Sequence, residues 1–547
     1  MANIYDKVPV KVQKKSGFDK SFQNLFTGKV GTIIPILTDE LIPNTSVNLR
    51  MAISTQLPPL ASDTFMRVKQ KYAAFFVPTR ILMAGYERWL TGNDQNDSQD
   101  YIMIPQFEFN PQTDKAVYGN GSLLDYLGFK SGVTSFTSVP AVQVNALPML
   151  AYHRIYNDWF RNSLVQADIL DDSFDNATAF NVGTVNRVIP NSSSKSAYVF
   201  TPGSVNSSFQ DGVKLYSLRQ ANFGSDLFTS CSPQAQNGEA QSVSFITASE
   251  SEYSSFTISA LRAANSMQQF LERNNIAGNR LVDYVKAQYG ANLGDAVAQR
   301  PILLGSGSFD VYSKGIYQTA GSVVEPDNNN PFRTTGSRYG AAYVDGNDLV
   351  VRGFTAQEPG YLMVVTWLAP KVTYGTGVDP VLTRYLKSKS QADMANPILQ
   401  NVGNEPIFAR QLDANAMFAS SASGRDTVFG YNERYATWKD KQDEVHGILR
   451  DGDTLESFAL QRTFGSAGTT PGTPVEIGTS FLQIPVTYLD QVSAVDGDVS
   501  NYGYWCDTYF DYKVSMPLAR YSIPSLQDPA YEHGEDVVVD KAGTQLT

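Results

Sequence analysis

The sequence holds three histidines, His153, His446 and His533, and two cysteines, Cys231 and Cys506. Thiol or zinc chemistry would have to draw on these five side chains. No histidine stands in an H-E-x-x-H frame or beside a cysteine pair, so the spacing of a zinc site is missing. A Ser–His–Asp triad comes together only in the fold, but no G-x-S-x-G elbow marks a nucleophile. His153 falls in a helical, aromatic-rich stretch, where packing is the simpler role. Two cysteines cannot build a disulfide framework and are expected as buried thiols, which fits a reducing cytoplasm. The glycine-rich GSGS (305–308) and YGTG (374–377) lack the lysine of a phosphate loop and the spacing of a dinucleotide turn, and are read as turn glycines. Asp171, Asp172 and Asp175, and Asp496 with Asp498, do not follow the calcium-loop pattern. No catalytic residue, metal ligand or cofactor is assigned. A divalent cation at contacts between copies of the chain is left open.

Basic residues offer the other chemistry. Lys7, Lys11, Lys14, Lys15 and Lys20 stand against Asp6 and Asp19 in the first 28 residues, and Arg67, Lys69 and Lys71 alternate along one expected strand face. Together they would form a positive lining for single-stranded nucleic acid, with Tyr or Phe rings as stacking platforms. A frayed terminus and a solvated strand face are the plainer readings of the same residues. The net charge is -11, so any nucleic-acid contact must be a local patch on an acidic protein.

The elements that must position these residues are mainly strands. With 42% hydrophobic, 18% charged and 12% aromatic residues in a chain of 547, a large packed core is within reach. Low charge with many Tyr and Phe also suits a surface covered by neighbours. Residues 29–80 alternate with the period of a half-buried strand, as in Val47, Leu49, Met51 and Ile53. The run Tyr72 to Val77 reads as a strand buried on both faces. Gly360 to Pro370 is a further apolar strand, and later ones are expected near Val445–Leu449, Phe458–Leu460, Phe481–Val486 and Tyr509–Val514. Between the strand-rich ends lie helices near 80–92, 121–129, 141–164 and 256–290, with Gly278 interrupting the last and Gly290 ending it. No apolar run is long enough to span a membrane as a helix, and Met1 to Lys20 lack the apolar core of a signal peptide.

The expected organisation is therefore a basic N-terminal arm (1–28), one β-sandwich domain (29–526) and an acidic C-terminal tail (527–547). Its insertions are mixed helical (79–165), surface loops (166–255), helical (256–290) and loop (306–350). An eight-stranded antiparallel jelly roll is the natural sandwich, because it pairs sequence-distant strands across long connections.

Several stretches resemble the major capsid protein of the Microviridae, small single-stranded DNA bacteriophages, and especially its gokushovirus-like branch. They are IIPILTDELIPNTSVNLRMAISTQLPPLASDTFMRVKQKYAAFFVPTRILMAGYERWLTG (33–92), YHRIYNDWFRN (152–162) and LYSLRQANFGSDLFTSCSPQAQNG (215–238), the last with the D-x-F-T-S-x-x-P pattern at Asp226 to Pro233. The series continues with LRAANSMQQFLERNNIAGNRLVDYVKAQYG (261–290) and its QRPILLGSG exit, EPGYLMVVTWLAPKVTYGTGVD (358–379), VFGYNERYATWKDKQDEVHGILR (428–450) and YFDYKVSMPLARYSIPSL (509–526). The order matches the family's from about residue 20 to 527. The stretch between Gly238 and Phe256 is short where gokushoviruses usually carry a large surface insertion, and 172–213 shows no recognisable match to the family.

The resemblance implies a viral jelly roll of which about sixty copies, grouped in pentamers, close into a small icosahedral (T=1) shell. It implies a circular single-stranded DNA genome inside, assembly in a bacterial cytoplasm, and scaffold, DNA-pilot and small basic packaging proteins as partners. A host surface receptor would meet the outer loops, first of all those of 166–255. Two other classes stay open on the residues alone. A β-sandwich carbohydrate-binding or carbohydrate-active protein would need two carboxylates facing one cleft. A secreted adhesin would need a route out of the cell.

Overall fold

The computed structural model describes residues 15–62, 64–83, 86–91, 104–112, 114–130, 140–167, 199–200, 216–238, 258–278, 280–318, 337–384, 403–419, 426–464, 475–494 and 498–518. The strands are β1 (Ser16–Asp19), β2 (Phe22–Gly28), β3 (Thr32–Leu41), β4 (Ser46–Gln56), β5 (Val68–Pro78), β6 (Gln106–Phe109), β7 (Val142–Asn145), β8 (Val199–Phe200) and β9 (Arg219–Gln220). They continue with β10 (Ile302–Asp310), β11 (Tyr312–Gln318), β12 (Ser337–Thr355), β13 (Gly360–Pro370), β14 (Asn404–Phe408), β15 (Val428–Glu433) and β16 (Tyr504–Met516). The α-helices of the first 300 residues are α1 (Tyr86–Thr91), α2 (Lys115–Tyr118), α3 (Leu123–Tyr126), α4 (Leu147–Ile155), α5 (Ile258–Ala277) and α6 (Leu281–Tyr289), among the described residues.

Two antiparallel sheets form a β-sandwich. The first runs β1-β16-β4-β12-β11 with β2 also on β16, and the second runs β10-β5-β13-β3-β9. The chain passes from one sheet to the other between β3 and β4, again between β4 and β5, and again between β12 and β13. Alternation along the strands builds the shared core. On β4, Val47, Leu49, Met51 and Ile53 are buried while Asn48, Arg50 and Ser54 face water. On β16, Tyr504, Cys506, Phe510, Tyr512 and Val514 are buried. Each such side chain removed from water contributes about 1.5–3 kcal/mol. Polar bonds also cross between the sheets: Thr55 Oγ1 donates to Gln70 Oε1 at 2.6 Å, and the Tyr512 hydroxyl donates to Asp39 at 2.7 Å.

β5 shows why its sequence changes character half-way. Gln70, Tyr72 and Phe76 point into the sandwich, toward Thr55, Asp348 and Phe354. The alternate residues point outward. Lys69 and Lys71 meet solvent, but Phe75 is covered by Trp159 and Phe160, 5.6 and 6.4 Å away between ring centres. Those two rings come from a π-helical turn, Tyr156–Phe160, that prolongs α4. The apolar run Tyr72 to Val77 is buried on both faces because α4 lies over it.

Several expectations need correction. Residues 306–350, read as a loop, contain the end of β10, β11 and the 19-residue β12. Gly340, Asp345, Gly346, Asn347, Asp348 and Gly353 look like turn residues, yet most lie in a ladder whose outer face is solvated. The stretch EPDNNNP (325–331) lies outside the described residues. Gly305 and Gly307 are not turn glycines. They sit within β10, where a Cβ at Gly305 would strike the Val350 carbonyl and one at Gly307 the Tyr72 ring. Three expected late strands are short helical turns instead: Gly447–Leu449, Glu456–Phe458 and Thr479–Leu482. Gly447 has φ 68°, which an extended strand does not allow, and Pro485 has no N–H for a ladder. Tyr509–Val514 does fall in a strand, β16. Within the segment read as an arm, Ser16–Asp19 and Phe22–Gly28 are strands on β16, while residues 1–14 and the tail 527–547 are outside the description. Of the loop zone 166–255, residues 168–198, 201–215 and 239–257 are outside it as well.

Candidate interaction surfaces

The residues that could have done covalent chemistry are built into the fold. His153 is fully buried in α4, its Nδ1 accepting a hydrogen bond from Arg219 Nε at 3.2 Å and its ring edge-on to Tyr152. His446 is exposed beside Glu444 at 3.1 Å, and His533 lies outside the described residues. Cys231 and Cys506 are both free and buried. Burial pushes both thiols up, Cys231 well above its ordinary range, which holds them protonated and unreactive. Among the described residues no three His, Cys, Asp or Glu side chains converge on a point that could hold a metal. Asp171, Asp172, Asp175 and Asp496 are outside them.

A cleft of about 830 Å³ opens between β2, β3 and α3. A carbohydrate-cleaving pair would need free carboxylates in such a place. Its three are already engaged. Asp39 is held by Lys20 and Tyr512, Asp125 accepts from the Gly121 N–H at 2.9 Å, and Asp507 accepts from Gln23 at 2.8 Å.

The D-x-F-T-S-x-x-P pattern at 226–233 is a folding device. Asp226 accepts from the N–H groups of Phe228 and Thr229 at 2.9 and 2.8 Å and from the Tyr374 hydroxyl at 2.7 Å. Burial, with the Asp226 charge alongside, pushes Tyr374 far up. Nearby, the Arg462 guanidinium stacks on Phe223 and Phe481, 4.6 and 4.0 Å from their centres.

The expected nucleic-acid cations are divided between the two sheets. On the second sheet, Arg67 reaches Asp443 at 3.3 Å and Lys69 reaches Asp310 at 3.4 Å. Lys71 has no ion-pair partner among the described residues. On the first sheet, Lys20 is tied to Asp39 and lies 5.4 Å from the centre of the Tyr512 ring, while Lys15 touches the Ser46 hydroxyl at 3.5 Å. Lys7, Lys11 and Lys14 are outside the description. Folding brings a different set together. Arg50 of β4, Arg352 of β12 and Lys513 of β16 line a pocket of about 690 Å³ with Asn48, Leu349 and Asp511. No sequence window contains them. Only the register of three strands does so, and the one local hint is that Arg50 and Lys513 each occupy an outward position of an alternating strand.

The second conspicuous surface is helical. α5 is 20 residues long, yet Asn275 is its only buried residue, and α6 buries none. Asn275 anchors the pair by accepting from Ser232 at 2.9 Å and donating to the Gln234 carbonyl at 2.6 Å. Gln288 ties α6 to Asn274 of α5, and Gly278, at φ 117°, makes the turn between them. Large apolar side chains are left in water: Ile258 is 69% exposed and Leu281 63%, with Leu261, Met267 and Phe270 also exposed.

Comparison with known proteins places these surfaces in context. The model of the family described as "Capsid protein (F protein)" matches residues 6–526. The Capsid protein VP1 of Chlamydia phage 1 is 23% identical, over 96% of this chain and 98% of that protein. The Capsid protein VP1 of Bdellovibrio phage phiMH2K is 24% identical, over 95% and 97%. The Capsid protein VP1 of Spiroplasma virus 4 is 24% identical, over 91% and 93%.

Proposed function

The chain belongs to the capsid protein (F protein) family, and on that premise we propose the kind of particle it builds. It is a structural protein of the virion, a major capsid protein that forms the shell. We read its sandwich as a jelly roll, supported by the repeated passage of the chain between sheets. About sixty copies close into a T=1 icosahedral shell around a circular single-stranded DNA. Scaffold, DNA-pilot and small basic packaging proteins assist assembly in the bacterial cytoplasm. Attachment to a host receptor is assigned to the 166–255 zone, and no catalytic step is assigned. Of the expected cations that are described, Lys15 on the first sheet is the one we assign to the genome side; Lys71 also lacks an ion pair but stands on the opposite sheet, and Arg67, Lys69 and Lys20 first satisfy carboxylates of their own chain.

The observation that carries the reading is the exposed apolar hairpin of α5 and α6. A lone soluble chain gains nothing by holding Ile258, Leu261, Phe270 and Leu281 in water. Repeated identical interfaces would cover them. Electron microscopy and sedimentation of the purified chain test this. Uniform closed shells are the expected outcome, and a stable monomer that forms no shell under any salt or pH condition would overturn it.

A further inference from the structure

The outer face of the first sheet carries a second pattern that the family assignment leaves unexplained. β12 is paired to β4 with two register shifts, between Leu349 and Val351 and between Val351 and Phe354. Each inserts one extra residue against β4. Bulges re-aim side chains and recur beside functional sites. Here they swing Arg352 and Gly353 out opposite Asn48, and the Gly353 N–H is held by Asn48 Oδ1 at 2.9 Å. Gly353 has φ 59°. The result sets Arg352 in one pocket with Arg50 and Lys513.

The charges there do not cancel. Arg50 and Arg352 have no ion-pair partner among the described residues. Lys513 is paired with Asp511 at 3.1 Å, and Asp19 stands across from it on β1. Lys15 reaches the same corner through Ser46, an outward residue of β4. Four cations thus meet two carboxylates. One row further along β16, the Tyr509 ring is 52% exposed, between Ala52 on β4 and Gln23 on β2. The spacing of a strand puts this ring about 7 Å from the Arg50 row and about 13 Å from the Lys513 row. Beyond Tyr509 the face turns acidic, at Asp507 and Asp345, which confines an anionic ligand to the bulged end.

We propose that this corner is a contact site for single-stranded DNA, in which Arg50, Arg352, Lys513 and Lys15 hold phosphates and Tyr509 stacks an unpaired base. Unpaired guanidiniums beside a half-exposed ring on one sheet face combine the two devices by which single strands are bound without sequence preference. A duplex, with its bases turned inward, could use only the phosphate half. The inference rests on the reading of this chain as the wall of a DNA-filled shell, and it turns the outer face of the first sheet toward the lumen.

The test uses the full-length chain, assembled and as dissociated subunits, with an oligo-dT 20-mer and an abasic 20-mer as probes. The variants are Arg50→Glu/Arg352→Glu, on exposed positions, and Tyr509→Ala. The double variant is expected to weaken binding of both probes by about tenfold or more and to lower the slope of log affinity against log salt by about 1.4, two phosphate contacts at about 0.7 each. Tyr509→Ala is expected to weaken only the dT probe. Both variants should still form shells of normal size. Unchanged affinity and salt slope in the double variant would overturn the site, and so would loss of shells, which would make this face a contact between subunits. Failure of the unmodified chain to form shells would count against the capsid reading itself, whereas loss of binding in variants that still form shells bears on this site alone.

Discussion

The sandwich and the α5–α6 hairpin obey the same packing rules and reach opposite outcomes. In the sandwich, the inward apolar rows find facing rows in the same chain: β4 and β16 of one sheet meet β3 and β5 of the other, with Thr55–Gln70 and Tyr512–Asp39 closing the polar gaps. In the hairpin, 29 helical residues bury a single side chain, and that one is an asparagine used as an anchor. The contrast separates two kinds of apolar residue. One stabilises the subunit and the other is kept for its neighbours. Mutations in the two regions should therefore fail in different assays.

The largest effect is expected in the sandwich. Phe510→Ala empties a fully buried site in the middle of β16 and should cost about 3–5 kcal/mol, read as a loss of thermal stability of the dissociated subunit. Leu261→Asp with Leu281→Asp should do the reverse. The subunit should keep its unfolding midpoint to within about 0.5 kcal/mol, since these side chains are already exposed, while the yield of shells by sedimentation falls at least tenfold. If that variant unfolds the monomer, the hairpin is part of the subunit core and the distinction fails. Gly305→Ala is intermediate. The added methyl meets the Val350 carbonyl where β10 passes β12, and should destabilise the subunit by about 1–3 kcal/mol in denaturant titration. The smallest effect is electrostatic. The bond from Lys441, then that from the Val381 N–H, holds the Asp379 carboxyl below its usual range. A depressed carboxyl contributes stability above its unfolded pKa and loses it as pH falls through the folded value. Asp379→Asn should thus lower stability slightly at neutral pH, slightly because the pair is largely solvated, and the difference from the unsubstituted chain should vanish as pH falls below about 4.

How much of this was legible in the sequence follows from what each signal depends on. β4 and β5 could be read residue by residue, since strict alternation at Val47 to Ile53 and the change at Tyr72 are local consequences of what lies on each face. α5 and α6 were legible from periodicity and from Gly278 and Gly290. β12 was hidden because its outer face is polar and its bulges need glycine, so the residues that make it a strand look like those of a loop. The short apolar runs at 445–449, 458–460 and 481–486 carry too few residues for either period to show. The candidate site was the least legible part. Arg50, Arg352 and Lys513 are hundreds of residues apart and become neighbours only through the β12-β4-β16 register, whereas the cations adjacent in sequence, Arg67 and Lys69, find acids of their own chain.

The central claim is that identical copies cover what the hairpin exposes. A reconstruction of the assembled particle at side-chain resolution tests it most directly. The account predicts that Ile258, Leu261, Phe270 and Leu281 lie buried against a neighbouring copy. A closed shell in which those four side chains still face solvent would contradict it.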